Sequence, residues 1–476
     1  MVKSQYLVST LLALCHLRQG SAANPSHILF SSFESADIPN AQGCPLAALW
    51  SVGGSFPFDS VQGPLRNATN VSFSEPSNCT SAEFDAIAEQ IQLDYANETV
   101  DGPGSNRALF HSAGTFSAVA GAGGLGGVDG GWLQFPENVA FPANAGLDET
   151  VEYIKGLVQQ FPCITFADAV VFNGVIVTEL AGGPAVAFMP GRRDASTTPT
   201  NPVLPSRLPD GSYNTAGVLS YYTQMGLSER ELAVFNGGGH SLGGAHPENS
   251  GWNGSFTYAS DKFPTPKNLY FIQTFENEWR PQIVVNSTTG TMRFQFVLLD
   301  SEGNPENDAD GNYIIRIPSD TAILLGGERP TAWAYSYAKD EDLFMNDYAR
   351  VLQRISQLGA GESWFLNPDQ YVWLGVNGTA TNYGTNIEPQ FGDPPIPTTD
   401  MVYPSWLKGF LSGPTMTLEE SVPSTQKTAA PSSSSEETPA VPSSSSRAPS
   451  LSGQIISVTA SALTFFLLCC SMSSLI

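Results

Sequence analysis

Histidine, cysteine and positive charge are all scarce in this 476-residue chain. It has 5 His, 6 Cys and 21 Lys+Arg against 45 Asp+Glu, a formal charge of −24. An acidic balance of that size repels phosphodiesters and anionic lipid headgroups, and so excludes nucleic acid as a partner. Only 14% of residues are charged, while Gly (45) and Pro (35) are frequent. That pattern suits a loop-rich extracellular protein better than a cytosolic helical bundle. No Cys-x-x-Cys or Cys/His zinc spacing occurs, and no internal repeat. The glycines at 121–131 do not follow a strand and open a helix, so they are loop glycines and not a dinucleotide fingerprint.

The two ends read as addresses. Residues 1–22 form a signal peptide, with Lys3 as its positive end, Tyr6–Leu17 as its apolar core and Gly20-Ser21-Ala22 as a small-residue cleavage site. The apolar run is too short to span a membrane comfortably. Residues 423–453 are rich in Ser, Pro and Thr, as an O-glycosylated stalk would be. Residues 454–476 are an apolar tail with nothing basic after it. Small residues near Ser443–Ser446, a spacer and that tail make a GPI-attachment signal, and a transmembrane helix is the weaker alternative. Seven sequons support secretion: Asn67, Asn70, Asn78, Asn97, Asn253, Asn286 and Asn377. Processing leaves Cys44, Cys79 and Cys163. We expect a Cys44–Cys79 disulfide in the loop-rich N-terminal part, with Cys163 as a buried small hydrophobe.

Between the ends the pattern is helical. Residues 23–79 are irregular. Thr80-Ser-Ala-Glu83 is a capping box opening a helix with Phe84, Ile87 and Ile91 on one face. Further helices are expected over 105–119, 145–160 and 338–358, and 162–181 is apolar nearly all round, as a central buried helix would be. Ser228-Glu-Arg-Glu231 is a second capping box, opening a short helix that reaches Gly237-Gly-Gly-His240. Residues 280–300 and 310–317 could make a hairpin. The domain runs over 80–360, with an extension over 361–422.

Two histidine settings stand out. Arg107 and His111 are four apart and share one helix face beside Phe110, so a cation, an aromatic ring and an imidazole could point into one cavity. A core His beside a surface Arg would give the same pattern. His240 ends a capped helix among glycines, where a flat ligand could approach closely. A helix stop with a fortuitous His would look alike.

Taken together, these segments resemble the plant-type haem peroxidase superfamily, most closely its ascorbate/cytochrome c peroxidase branch. The matching text, in family order, includes RALFHSAGTF (107–116), ANAGLDETV (143–151), FPCITFADAVVFNG (161–174), ELAGGPAVAFMPGRRDA (179–195), MGLSERELAVFNGGGHSLGGAHPENSGWNG (225–254), IPSD (317–320) and YAKDEDLFMNDYARVLQRISQLG (337–359). The resemblance implies a mostly α, two-lobed fold with one haem b between the lobes. It implies His240 as the axial ligand of the haem iron and Asp320 as the carboxylate accepting its ring N–H. It implies His111 as the base that moves a proton between the oxygens of peroxide, Arg107 as the charge stabilising the developing anion, and Phe110 as the ring beside them. Asn144 would fix the tautomer of His111, with Glu137 in support.

Departures shape the rest. A tryptophan position of cytochrome c peroxidase is filled by Phe256, so no indole radical can form there. The arginine that holds ascorbate aligns with Asn249. A calcium-ligand aspartate aligns with Ser112. A second cation site could use Ser241 and Thr257, but its expected aspartate aligns with Lys267, so no structural calcium is expected. His246 aligns near the haem propionates, where it would touch them or serve structure. The reading is a haem peroxidase at the cell surface, GPI-anchored, reducing hydrogen peroxide to water while oxidising small one-electron donors, phenolic or similar, and acting as a monomer. The rival readings are a non-catalytic GPI-anchored glycoprotein on the same scaffold, and a haem-storing or haem-sensing module.

Overall fold

The computed structural model describes residues 27–29, 71–117, 126–199, 204–286, 290, 292–325, 328–360, 371–380 and 415–417. All of these belong to the first of two compact units, residues 1–422 and 423–476. The signal peptide, Cys44, the stalk, the apolar tail and the sequons at Asn67 and Asn70 lie outside the described residues.

The expected helices form, with shifted ends. Helix α1 (Ser81–Ala96) opens on Thr80, whose hydroxyl accepts from the Glu83 amide while the Glu83 carboxylate accepts from the Thr80 amide. Helix α2 spans Gly102–Ala113 and not 105–119. Asp101 caps it by accepting from the Gly104 amide at 3.0 Å, Pro103 pre-sets its first turn, and Gly114 ends it. A single turn, α3 (Pro136–Val139), precedes α4 (Asp148–Gln160). Helix α5 (Phe166–Leu180) is the central helix, buried from Phe166 through Thr178. It packs against α1, α2 and α4, which present Ile87, Ile91, Leu109, Ile154 and Leu157 to the core. Each such side chain fully removed from water is worth roughly 1.5–3 kcal/mol.

A second group of helices follows: α6 (Thr215–Gln224), α7 (Glu229–Gly239), α8 (Leu269–Glu276), α9 (Pro318–Leu325), α10 (Glu328–Lys339) and α11 (Glu341–Ile355). The helix expected over 338–358 is α11, which starts at Glu341, since the Asp340 carboxylate accepts from the Leu343 amide at 2.9 Å and caps it, while 338–339 end α10. Lys339 then sits at a negative helix end, and Glu341 and Asp342 at a positive one. The buried face of α11 carries Phe344, Tyr348, Val351, Leu352 and Ile355.

The hairpin is real and gains a third strand. Strand β4 (Glu278–Val285) pairs antiparallel with β5 (Met292–Leu299), which pairs with β6 (Ile315–Arg316). Four two-residue or three-residue pieces complete the strands among the described residues: β1 (His27–Leu29) pairs with β7 (Thr415–Thr417), and β2 (Gly244–Ala245) with β3 (Gly254–Ser255). The fold is mostly α, as the sequence indicates.

The disulfide corrects the sequence reading. Cys79 bonds Cys163, 84 residues away, and not Cys44. Cys163 is only half-buried, on the loop leading into α5, where its carbonyl also accepts from the Asn78 amide at 3.0 Å. Nearness in the chain is no guide when a tertiary contact sets the pairing. The segment 371–380 lies along the same central helix: Trp373 exchanges both backbone hydrogen bonds with Phe188, and its ring meets Phe172. No helix among the described residues is long and apolar enough to cross a membrane.

Candidate active site

Helix α2 carries Arg107, Phe110 and His111 toward one side. The His111 Nδ1 lies 2.7 Å from Asn144 Oδ1, and the Asn144 amide nitrogen donates to the Asn138 carbonyl at 2.7 Å. That second bond fixes which end of the amide is oxygen. The oxygen can only accept, so Nδ1 carries the hydrogen and Nε2 is left as a bare lone pair. Burial, followed by the nearby Arg107 charge, pushes the His111 imidazole down to about 3, against the Asn144 bond that raises it. The ring is therefore neutral at ordinary pH.

Arg107 donates to the carbonyls of Ala145 at 2.8 Å and Ala143 at 3.0 Å. Burial lowers its guanidinium to about 10, so it stays charged at neutral pH. The ring of Phe110 stands edge-on to His111, centroids 5.4 Å apart, and touches Phe235 of α7 at 5.2 Å. The two helix groups therefore approach one another beside these residues. Glu137 does not support Asn144: it is exposed on α3, and the backbone of its neighbour Asn138 does that work.

His240 is the C-cap residue of α7, whose start is the Ser228/Glu231 capping box. Its Nδ1 lies 2.6 Å from Asp320 Oδ1. The same oxygen accepts from the Asn236 amide at 2.8 Å, and Oδ2 accepts from the Ile317 amide at 2.9 Å. Burial pushes the Asp320 carboxyl up, but His240, Arg316 and Asn236 outweigh it and hold the group below the usual carboxylate range. The carboxylate is ionised and can only accept, so here too Nδ1 carries a hydrogen, and Nε2 is the nitrogen turned away from the carboxylate. The His240 side chain is 29% exposed, in front of an Asp320 side chain at 1%. Phe256 stacks on it, centroids 4.1 Å apart and 4° from parallel.

The glycines before His240 act otherwise than expected. A Cβ at Gly237 would sit 2.1 Å from the Phe271 ring and one at Gly238 2.3 Å from the Tyr348 ring, so both serve close packing. Only Gly239 faces open space. Asn236, four residues before His240 and hence on the same helix face, was a legible signal that the sequence reading passed over. Arg316 was also passed over.

The remaining residues sit apart. His246 is exposed on the turn after β2, near enough to act on the carboxyl of Asp101. Asn249 packs its amide over Gly146. The Ser241 hydroxyl donates to the Gly237 carbonyl, and that of Thr257 to Ser241 and Ala259. Among the described residues no group of three His, Cys, Asp or Glu is placed to hold a metal ion.

These features have counterparts. A family model described as "Peroxidase" matches residues 87–278. The chain is similar to "Probable L-ascorbate peroxidase 3, peroxisomal" of Oryza sativa subsp. japonica, with 32% identity over 255 residues, 53% of this chain and 72% of that one. "L-ascorbate peroxidase 3" of Arabidopsis thaliana is 31% identical over 253 residues, 53% and 72% of the two chains. "Cytochrome c peroxidase, mitochondrial" of Emericella nidulans is 27% identical over 318 residues, 65% and 80%.

Proposed function

The chain belongs to the plant-type haem peroxidase superfamily, near its ascorbate and cytochrome c peroxidase branch, and from that membership we propose a role for each residue of the site. It is a haem-dependent oxidoreductase acting on peroxide, and its cofactor is haem b. The non-catalytic readings are thereby set aside.

One observation carries the assignment. Two partly exposed imidazoles, His111 and His240, are each tied through Nδ1 to a side-chain oxygen, which leaves Nε2 as the nitrogen turned outward. Their partners differ in charge, which separates their tasks. The residues fit haem: His240 would hold the iron through Nε2, and the ionised Asp320 behind it would strengthen the imidazole as a donor. When bound, the haem supplies the electrons that cleave the O–O bond.

The chain's own residues handle protons and charge. His111 Nε2 takes a proton from hydrogen peroxide and returns it to the departing oxygen, which leaves as water. Asn144 is neutral, so it fixes the tautomer without making the base more negative. Arg107 holds a fixed charge, oriented by two carbonyls, beside the oxygen that becomes anionic. Phe256 stacks on His240 and limits its rotation. His246 serves the turn it opens, where its carbonyl accepts from the Asn249 and Ser250 amides.

The reductant we propose is a small phenol or similar one-electron donor. The net charge of −24 favours neutral or cationic donors over anionic ones. We propose further that the protein is secreted, glycosylated, anchored outside the cell by GPI and monomeric. The terminal signals support secretion and the anchor, as do a disulfide and the exposed sequon asparagines Asn78, Asn97, Asn253 and Asn377 for secretion and glycosylation.

Stopped-flow absorption of the haem-loaded chain on adding one equivalent of hydrogen peroxide tests the catalytic roles. The Soret band should shift within milliseconds to seconds and recover on adding a phenol. In His111→Leu the shift should be slower by about 10²–10⁴. An unchanged rate in that variant sinks the acid/base role. Release from membranes by phosphatidylinositol-specific phospholipase C tests the anchor.

A further inference from the structure

One oxygen of Asp320 serves two side chains. Oδ1 lies 2.6 Å from His240 Nδ1 and accepts from the Asn236 amide nitrogen at 2.8 Å, while Oδ2 accepts from the Ile317 amide at 2.9 Å. Phe256 stacks on the imidazole, but a phenyl ring has no N–H to offer the carboxylate. Arg316 adds charge nearby and spends its N–H groups elsewhere. It is 1% exposed and donates to Thr274 Oγ1 and to the carbonyls of Phe256, Ile315 and Tyr270, all neutral acceptors. Its guanidinium lies 3.8 Å from the Tyr270 ring centroid and 4.7 Å from that of Trp279.

Asn236 is fixed in its place. It stands in the last turn of α7, four residues before His240, so one helix face carries both. Its amide nitrogen has two hydrogens, and it donates to Tyr270 Oη at 3.3 Å as well as to Asp320. The helix cannot slide away, because Gly237 and Gly238 press against Phe271 and Tyr348.

Two donors on one carboxylate oxygen compete for the same negative charge. The bond from Asn236 therefore weakens the pull of Oδ1 on the Nδ1–H of His240. A weaker pull leaves the imidazole with less anionic character and makes Nε2 a poorer donor to a metal ion. We propose that Asn236 is a positioning residue for the peroxidase reaction: by sharing Asp320 Oδ1 it tempers His240 as a ligand and raises the potential at which the site takes electrons from its reductant. This rests on the peroxidase reading above and adds a residue to it.

A merely structural Asn236 predicts the opposite sign. If the amide only held Asp320 in place, its loss would let the carboxylate turn from Nδ1, and the imidazole would become a still poorer donor. The test measures the ferric/ferrous midpoint potential of the haem-loaded full chain, with resonance Raman spectra of its ferrous form. Asn236→Leu, close to asparagine in volume, should lower the potential by about 59 mV, a tenfold shift toward the ferric state. Its iron–imidazole stretch should move to higher frequency. Asn236→Ala removes the amide without adding bulk, and should shift both readings the same way if the leucine variant does not fold. An unchanged potential in either folded variant overturns the proposal, and so does a rise in potential with a lowered stretch. A parent chain whose ferrous form shows no iron–imidazole stretch would instead overturn the ligand role of His240.

Discussion

The ring of Phe256 lies 4.1 Å from the imidazole of His240 and within 4° of parallel to it. The phenyl ring is backed by Trp252, Ile315 and Ile317, so it cannot swing away. Phe256→Ala should therefore leave a cavity, at about 3–5 kcal/mol of stability. It should also free the imidazole to rotate. Chemical denaturation would measure the first effect, and a broadened or shifted Soret band of the haem-loaded variant the second. A variant with parent stability and spectrum would show that the stack constrains nothing.

The Asn144 amide acts through His111 and touches no reacting atom. Asn144→Leu should slow the peroxide step by about 10–100-fold, because the wrong tautomer becomes available. Asn144→Gln, with the same amide, should recover part of the rate if it reaches Nδ1. A merely structural role predicts loss of fold in both, which circular dichroism would reveal.

Acid response follows from the depressed imidazole of His111. Its pKa is about 3 in the folded chain against about 6.5 unfolded. Between those values the unfolded chain binds a proton that the folded one does not. The contribution of this residue to stability is thus fully present above about 6.5 and declines as pH falls toward 3. The second-order rate with peroxide should stay flat from pH 8 to about 4 and fall only below. A rate that halves near pH 6.5 would mean an ordinary solvated imidazole.

The Cys79–Cys163 bond closes a loop of 84 residues around α1, α2 and α4. By loop entropy, Cys163→Ser should cost on the order of 4 kcal/mol, and Cys44→Ser should cost little. Thermal unfolding with and without reductant separates the two cases.

Of the sequons, Asn286 should stay bare. Its side chain is buried and its amide donates to the Pro247 carbonyl at 2.7 Å. Peptide mapping after enzymatic deglycosylation should find Asn78, Asn97, Asn253 and Asn377 modified and Asn286 not.

Much of this was legible in the sequence for local reasons. Capping boxes at Thr80 and Ser228 are four-residue signals, and both formed. The apolar girth of 166–178 announced a buried helix. Arg107 and His111 share a face at any helical register. What escaped depends on contacts far apart in the chain. The partner of Cys163 is set by the approach of residues 78 and 163. The support for Asn144 is a backbone carbonyl, which no side-chain pattern reports. The late start of α11 comes from the Asp340 cap, which an apolar face beginning at Phe344 does not report. Arg316 reads as part of an ordinary strand until Tyr270 and Trp279 close on it.

The two glycines ahead of His240 have a consequence for inheritance. Phe271 and Tyr348 occupy the space that a methyl group at Gly237 or Gly238 would need. Even alanine there must push the helix off its neighbours and carry the imidazole with it. A saturation survey scored by peroxide resistance would thus mark two silent-looking residues as nearly invariant. Gly239, one step nearer the histidine, would tolerate change.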